Sequence, residues 1–335
     1  MLRKLCLAVI GMLMTALAIS DSAKGDDTYE REKWWPSVWG ADDQLGAMNR
    51  LGPEKVLEAV ALISKGIVYD MTRIVDEDMP LFELTPQRRK YTLSIPGAPS
   101  WGPLGRNKLA WNEEYISGHL GQNGTQFDAL SHMSTMFGES GDLRNLRYYN
   151  GLRHSDIATS RGFTSLGVEK TIPIFTNGIL IDLMAYRGRM LNKSEEITVS
   201  DIEGALKRQG LSTADISPGD AFFYNTGWGD LWKIDNAKFN SGTPGLSSAA
   251  GDWVISKEVV MVGTDNWAVE AIPGPDPNLF APNHQKFLVE NGIYIMENLD
   301  FTKLIEDRVY QFAFIFGAVP LRGATGAPGR PIAVK

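Results

Sequence analysis

GQNGTQFDALSHM, residues 121–133, sets two glutamines, an aspartate and a histidine around a Gly-Thr pair, in a chain that has only four histidines. An extended backbone over 122–128 places side chains of even number on one face, so Gln122, Gln126 and Asp128 converge while Phe127 points to the other side. His132 follows past Leu130-Ser131, where the strand turns, and leans over the same face. His119 has the wrong parity and reads as a packing or surface histidine. A second cluster, PNHQKFLVENGIYIMENLD (282–300), carries His284 at the start of a predicted helix and Glu297 near the end of the strand that follows. One imidazole, two carboxylates and amide oxygens make a donor set for a divalent cation. Taken singly the same residues are ordinary: glutamines that only hydrogen-bond, an aspartate in a turn, a histidine facing solvent.

Around this stretch, strands are predicted at 67–75, 90–95, 109–117, 124–129, 178–183, 221–226, 259–264, 294–299 and 310–319. These are β-branched or aromatic runs bounded by Gly, Pro, Asn or Asp. Helices are predicted over 53–65, opened by Pro53 and stopped by Gly66, and over 199–209 and 284–290. Strands outnumber helices, which implies an α/β protein with a large mixed sheet or a barrel-like β core, not a doubly wound dinucleotide-binding sheet. No GxGxxG, P-loop, GxSxG or HExxH pattern is present. Asp265 and Glu270 in GTDNWAVE offer themselves as outer groups or substrate contacts, but a strand-end aspartate is commonly a turn residue, and both stay outside the ligand set. The Gly-rich GATGAPG segment opens no helix and carries no Lys, so it reads as a loop with no phosphate role.

The chain has 335 residues, 43% of them hydrophobic and nine of them Trp, enough for one large packed domain. A net charge of −7 without a basic block excludes nucleic acid as a natural partner and leaves a small-molecule substrate. Arg3 and Lys4 precede an apolar run from Leu5 to Ile19, which reads as a cleaved signal peptide over 1–20, too short for a bilayer span. A flexible lead-in over 21–33 and a single domain over 34–335 follow. The mature protein is thus expected outside the inner membrane, periplasmic or extracellular, with no stable membrane anchor. The lone cysteine, Cys6, lies in the apolar run, so no disulfide and no thiol nucleophile remain.

The 122–132 stretch resembles the metal-dependent cyclase family, the group containing bacterial kynurenine formamidase and isatin hydrolase, whose signature HxGTHxDxPxH stands here as Gln122-Asn123-Gly124-Thr125-Gln126-Phe127-Asp128-Ala129-Leu130-Ser131-His132. The resemblance extends to WGADDQLGAMN (39–49), GIVYDMTRIVDEDMP (66–80), ISPGDAFFYNTGW (216–228), VVMVGTDNWAVE (259–270), HQKFLVENGIYIMENLD (284–300) and GATGAPGRPIAV (323–334). It implies a β-rich swivelling β/β/α fold, a homo-oligomer, and hydrolysis of an amide, lactam, lactone or related bond with Zn²⁺ or Mn²⁺. Transferred by position, Asp128, His284 and Glu297 become metal ligands and His132 the catalytic histidine.

Gln122 and Gln126 fall where the motif has imidazoles. A carboxamide oxygen is a weaker, harder donor than an imidazole nitrogen, so the exchange shifts preference from Zn²⁺ toward Mn²⁺. It leaves the two glutamines as weak ligands or as hydrogen-bond partners. A Gln-containing motif also resembles the trans-dienelactone hydrolase branch, which sets a lactone or ester beside an amide as substrate. The implied reaction is metal-assisted hydrolysis with His132 as general base and then acid, walled by aromatics from 34–39 and Trp228. The contrasting expectation is a periplasmic binding protein with a decayed metal site.

Overall fold

The computed structural model describes residues 33–82, 89–138 and 141–335. The expected signal peptide and the expected lead-in, up to residue 32, lie outside them. Residues Trp34–Lys335 form one compact unit, built on a mixed sheet of nine strands: β1 (Val68–Asp70), β2 (Gln126–Asp128), β3 (Ile174–Asp182), β4 (Ala221–Asn225), β5 (Met261–Thr264), β6 (Tyr294–Glu297), β7 (Gln311–Phe316), β8 (Gly326–Pro328) and β9 (Ile332–Val334). Their spatial order is β1-β9-β7-β3-β4-β5-β6-β2-β8. The central four, β3 to β6, run parallel, and the other neighbours pair antiparallel. Strands β4, β5 and β6 are buried along their whole length, which is why AFFYN, MVGT and YIME show no polar alternation.

The short link between β8 and β9 requires the sheet to curl. In a flat sheet these strands would lie seven spacings apart, about 34 Å, yet residues 329–331 reach across at most about 14 Å. The concave face records the closure: Phe127 of β2 packs 5.2 Å from Phe316 of β7, although four strands separate them in the sheet order. Phe127 also stacks on Tyr294 at 5.1 Å, and Phe223 meets Phe314 at 4.8 Å. Gly263 stands opposite Phe223 because a Cβ there would lie 2.6 Å from the ring. The mixed, barrel-like core expected from the sequence is thus a half-barrel filled with aromatic rings.

Helices α1 (Pro53–Ala61), α2 (Val199–Arg208) and α3 (Ser248–Ser256) are the longest among the described residues. Thr198 and Asp201 close α2 with a capping box, and the amphipathic pattern buries Ile202, Ala205 and Leu206. Helix α3 shows no clean apolar period, with Ser248, Gly251 and Ser256 inside it; Ser247 caps it by accepting from Ala250 N at 3.2 Å, and a Cβ at Gly251 would collide with Asn283.

The sequence-predicted strand 109–117 is two strands, Leu109–Trp111 and Tyr115–Gly118. Each belongs to its own two-stranded ribbon, with Trp101–Leu104 and Tyr91–Ser94, off the main sheet and largely exposed. The helix predicted over 284–290 begins at Pro282 and continues as π-helix over Gln285–Glu290.

Candidate metal centre

Of the 122–128 stretch 126–128 is strand; Gln122 closes a single 3-10 turn, Leu120–Gln122, and Asn123 after it is extended. Gly124, at φ +64°, makes the bend between them. Thr125 pins the strand start: its Oγ1 donates to Asn298 O at 2.7 Å and accepts from Arg73 N at 2.9 Å. Residues 126–128 keep the alternation of an extended chain. Gln126 stands opposite Glu297 in the β2–β6 register, with Asp128 on the same face and Phe127 turned into the aromatic core.

His284 reaches this face from the start of its helix, and Glu270 fixes it there. Glu270 accepts from His284 N at 2.9 Å and from the ring Nδ1 at 2.7 Å. A carboxylate can only accept here, so Nδ1 carries the proton and Nε2 is the nitrogen left for a cation. Nε2 lies 3.2 Å from Glu297 Oε1 without hydrogen-bond alignment. Asp128, His284 and Glu297 each bring one ligand atom within 4.8 Å of the others, and all three residues are buried.

The carboxylate oxygens divide into two kinds. Asp128 Oδ1 accepts from Gln122 Nε2 at 2.9 Å, and Glu297 Oε2 from Gln126 Nε2 at 2.8 Å. Asp128 Oδ2 and Glu297 Oε1 are buried with no hydrogen-bond partner. Asp128 Oδ2 faces no donor and Glu297 Oε1 faces only the unaligned His284 ring at 3.2 Å; buried carboxylate oxygens left without a hydrogen bond cost free energy, so a divalent cation, taking the place of the His284 Nε2 proton, fits this donor set.

Burial works against charge on His284, yet Glu270 and then Glu297 hold its pKa well above the ordinary 6.5. Burial pushes the Glu297 carboxyl up to about 7, with His284 opposing and the Asp128 charge adding to the shift. The chain turns back directly after β2 through a hydrogen bond from His132 N to Ala129 O at 2.8 Å. This sets His132 Nε2 3.9 Å from Asp128 Oδ1, too far for a hydrogen bond, with 16% of its side chain exposed. Burial keeps its pKa below the ordinary value, with Asp128 opposing and His284 and Arg89 assisting.

The structure therefore brings together Asp128, His284, Glu297, His132, Gln122 and Gln126, but the two amides turn nitrogen, not oxygen, toward the carboxylates. His119 stands apart, exposed, accepting from Lys90 N at 3.1 Å. Trp228, expected as a wall of the site, is instead core: it is 1% exposed and donates from Nε1 to Phe239 O at 3.1 Å. Trp34 and Trp35 pack on Phe137, beyond His132 in the chain. Two site residues were outside the predicted set. Glu270 had a visible signal, a carboxylate close after β5; Arg89, which contacts both glutamines, had none. A cavity of about 450 Å³ opens elsewhere, lined by Arg73, Asp182, Asn225, Asp230 and Asp265, and none of the triad lines it.

The Cyclase family model matches residues 69–271, more than half of the chain, and this protein belongs to that family. A crystal structure of a novel cyclase aligns with TM-score 0.74 at 30% identity, over 89% of this chain and 98% of the other. Isatin hydrolase A from Ralstonia solanacearum aligns with TM-score 0.58 at 19% identity, over 85% and 98%. Isatin hydrolase A from Labrenzia aggregata, bound to benzyl benzoate, aligns with TM-score 0.57 at 20% identity, over 84% and 97%. At those identities the two hydrolases share the fold. No curated protein matches the chain in sequence.

Proposed function

We propose that this protein is a metal-dependent hydrolase of a small cyclic or aryl amide, lactone or ester, with one divalent ion held by Asp128, His284 and Glu297. The observation that carries the reading is the pair of unpartnered buried oxygens, Asp128 Oδ2 and Glu297 Oε1, beside a His284 ring whose orientation Glu270 fixes. Two carboxylates and one imidazole suit Mn²⁺ as well as Zn²⁺. Such an ion supplies Lewis acidity toward a carbonyl and acidifies water.

His132 is the general base and then the acid to the leaving group. Its burial favours the neutral ring, the form that accepts a proton. Fold similarity to the isatin hydrolases supports an amide or lactam, and the glutamine-containing motif supports a lactone or ester. The apolar run behind Arg3 and Lys4 supports export to the periplasm or beyond, and no helix among the described residues is long and apolar enough to cross a membrane. The family resemblance supports a homo-oligomer.

The test is metal analysis of the purified protein and of Asp128→Ala, His284→Ala and Glu297→Ala, with His132→Ala beside them. About one divalent ion per chain, lost in the first three, is expected. His132→Ala should keep its ion and lose roughly 10²- to 10⁴-fold in turnover. A wild type that takes up no ion after reconstitution would sink the hydrolase reading in favour of a ligand-binding module.

A further inference from the structure

Arg89 meets the two glutamines at their oxygens, while their amide nitrogens meet the carboxylates. Its Nη1 donates to Gln122 O and lies 3.5 Å from Gln126 Oε1; its Nη2 donates to Gln122 Oε1 at 3.3 Å. The guanidinium also lies over the Phe82 ring, 4.8 Å from its centroid, which restricts its swing. Each carboxamide is therefore held between a guanidinium, which can only donate, and a carboxyl oxygen that accepts. Its oxygen must face Arg89 and its nitrogen the carboxylate. A further contact, Gln126 Nε2 to Gln122 Oε1 at 3.2 Å, occupies the second lone pair of that oxygen.

Resting on the metal-site reading above, we infer that Arg89 is a positioning residue that keeps both glutamine oxygens out of the coordination shell and makes each carboxylate present a single oxygen to the ion. The oxygens that the amides hold are Asp128 Oδ1 and Glu297 Oε2; those they leave are the two without partners. Three protein ligands then leave open positions for water and substrate, and the nearby cation restrains the affinity for a second positive charge. In a site where amides replace imidazoles, Arg89 decides whether those amides act as ligands or as hydrogen-bond donors.

The test uses the full mature protein loaded with Mn²⁺. Calorimetry gives the affinity, and line broadening of the Mn²⁺ resonance in ¹⁷O-water gives the number of water ligands; melting curves verify the fold. For a six-coordinate ion, the wild type should show about three waters. Arg89→Met frees the amides to turn and removes a like charge. It should bind Mn²⁺ about tenfold more tightly, a change of the size outer groups produce, with at least one water fewer. Arg89→Lys retains the charge and can still donate to the amide oxygens, so both readings should stay near wild type. Wild-type affinity and water count in Arg89→Met, or weaker binding, would overturn the assignment. A wild type that binds no Mn²⁺ would instead overturn the metal reading itself, and the two failures are distinct.

Discussion

Glu297 and Asp265 are both buried carboxylates at the C-terminal ends of neighbouring parallel strands, and they differ in their partners. Asp265, one residue beyond β5, has both oxygens occupied. Oδ1 accepts from Thr226 N at 3.0 Å and Thr226 Oγ1 at 2.7 Å, and Oδ2 from Gly229 N at 3.0 Å. Glu297, the last residue of β6, has one oxygen held and one open. Burial alone does not separate them, since they are 2% and 3% exposed. A saturated carboxylate holds a turn together, whereas a half-satisfied one beside a fixed imidazole has free-energy reason to take a cation.

The contrast is sharpest under substitution. Glu297→Gln should abolish ion binding and lower turnover at least about 10³-fold, while the metal-free protein melts no lower than wild type, because the change removes a buried charge that His284 and Arg89 only partly compensate, as a carboxyl pushed up to about 7 records. Metal analysis and melting curves measured together test both halves; a marked drop in melting temperature would place Glu297 with the structural carboxylates. Asp265→Ala should do the reverse. It strands three donors of the 226–229 turn and should cost roughly 3–5 kcal/mol in chemical denaturation, with ion content per folded molecule unchanged.

Glu270→Gln probes the support of the site. The ring keeps a hydrogen-bond acceptor but loses its anionic partner, so ion affinity should fall about 10- to 100-fold by titration with Mn²⁺, with little change in folding. The smallest effect is expected at Asp43, which ties the N-terminal segment to the body through Tyr149 Oη at 2.6 Å, Leu45 N, Gly46 N and Asn49. Burial raises its pKa, but these hydrogen bonds together set it below the ordinary 3.8. A depressed carboxyl contributes stability above its unfolded pKa and loses it as pH falls through the folded value. Asp43→Asn should therefore flatten the acid limb of the stability curve below about pH 4 and leave ion binding alone. An unchanged acid limb would remove Asp43 from that role.

Much of the sheet was legible because its strands carry their own signal. AFFYN and VVMVGT are continuous apolar runs, as central parallel strands require, and the parity of Gln126 and Asp128 followed from the period of an extended chain. The exposed ribbons were less legible: 109–117 has strand-like composition, but no core face dictates where pairing breaks. The π-helix after His284 and helix α3 had no clean periodic pattern to show.

By itself the sequence determined the α/β class, the central strands, the polar clusters at 122–132 and 284–297, and the resemblance that joined them. The tertiary structure alone decided the curl of the sheet, the hold of Glu270 on His284, the entry of Arg89, and the turning of both amides nitrogen-first toward the carboxylates. The physical reason is range. Periodicity and turn chemistry act over a few residues and can be read along the chain, whereas Gln126 and Glu297 meet across 171 positions. Which oxygen of a carboxylate stays open depends on every donor that folding brings to it.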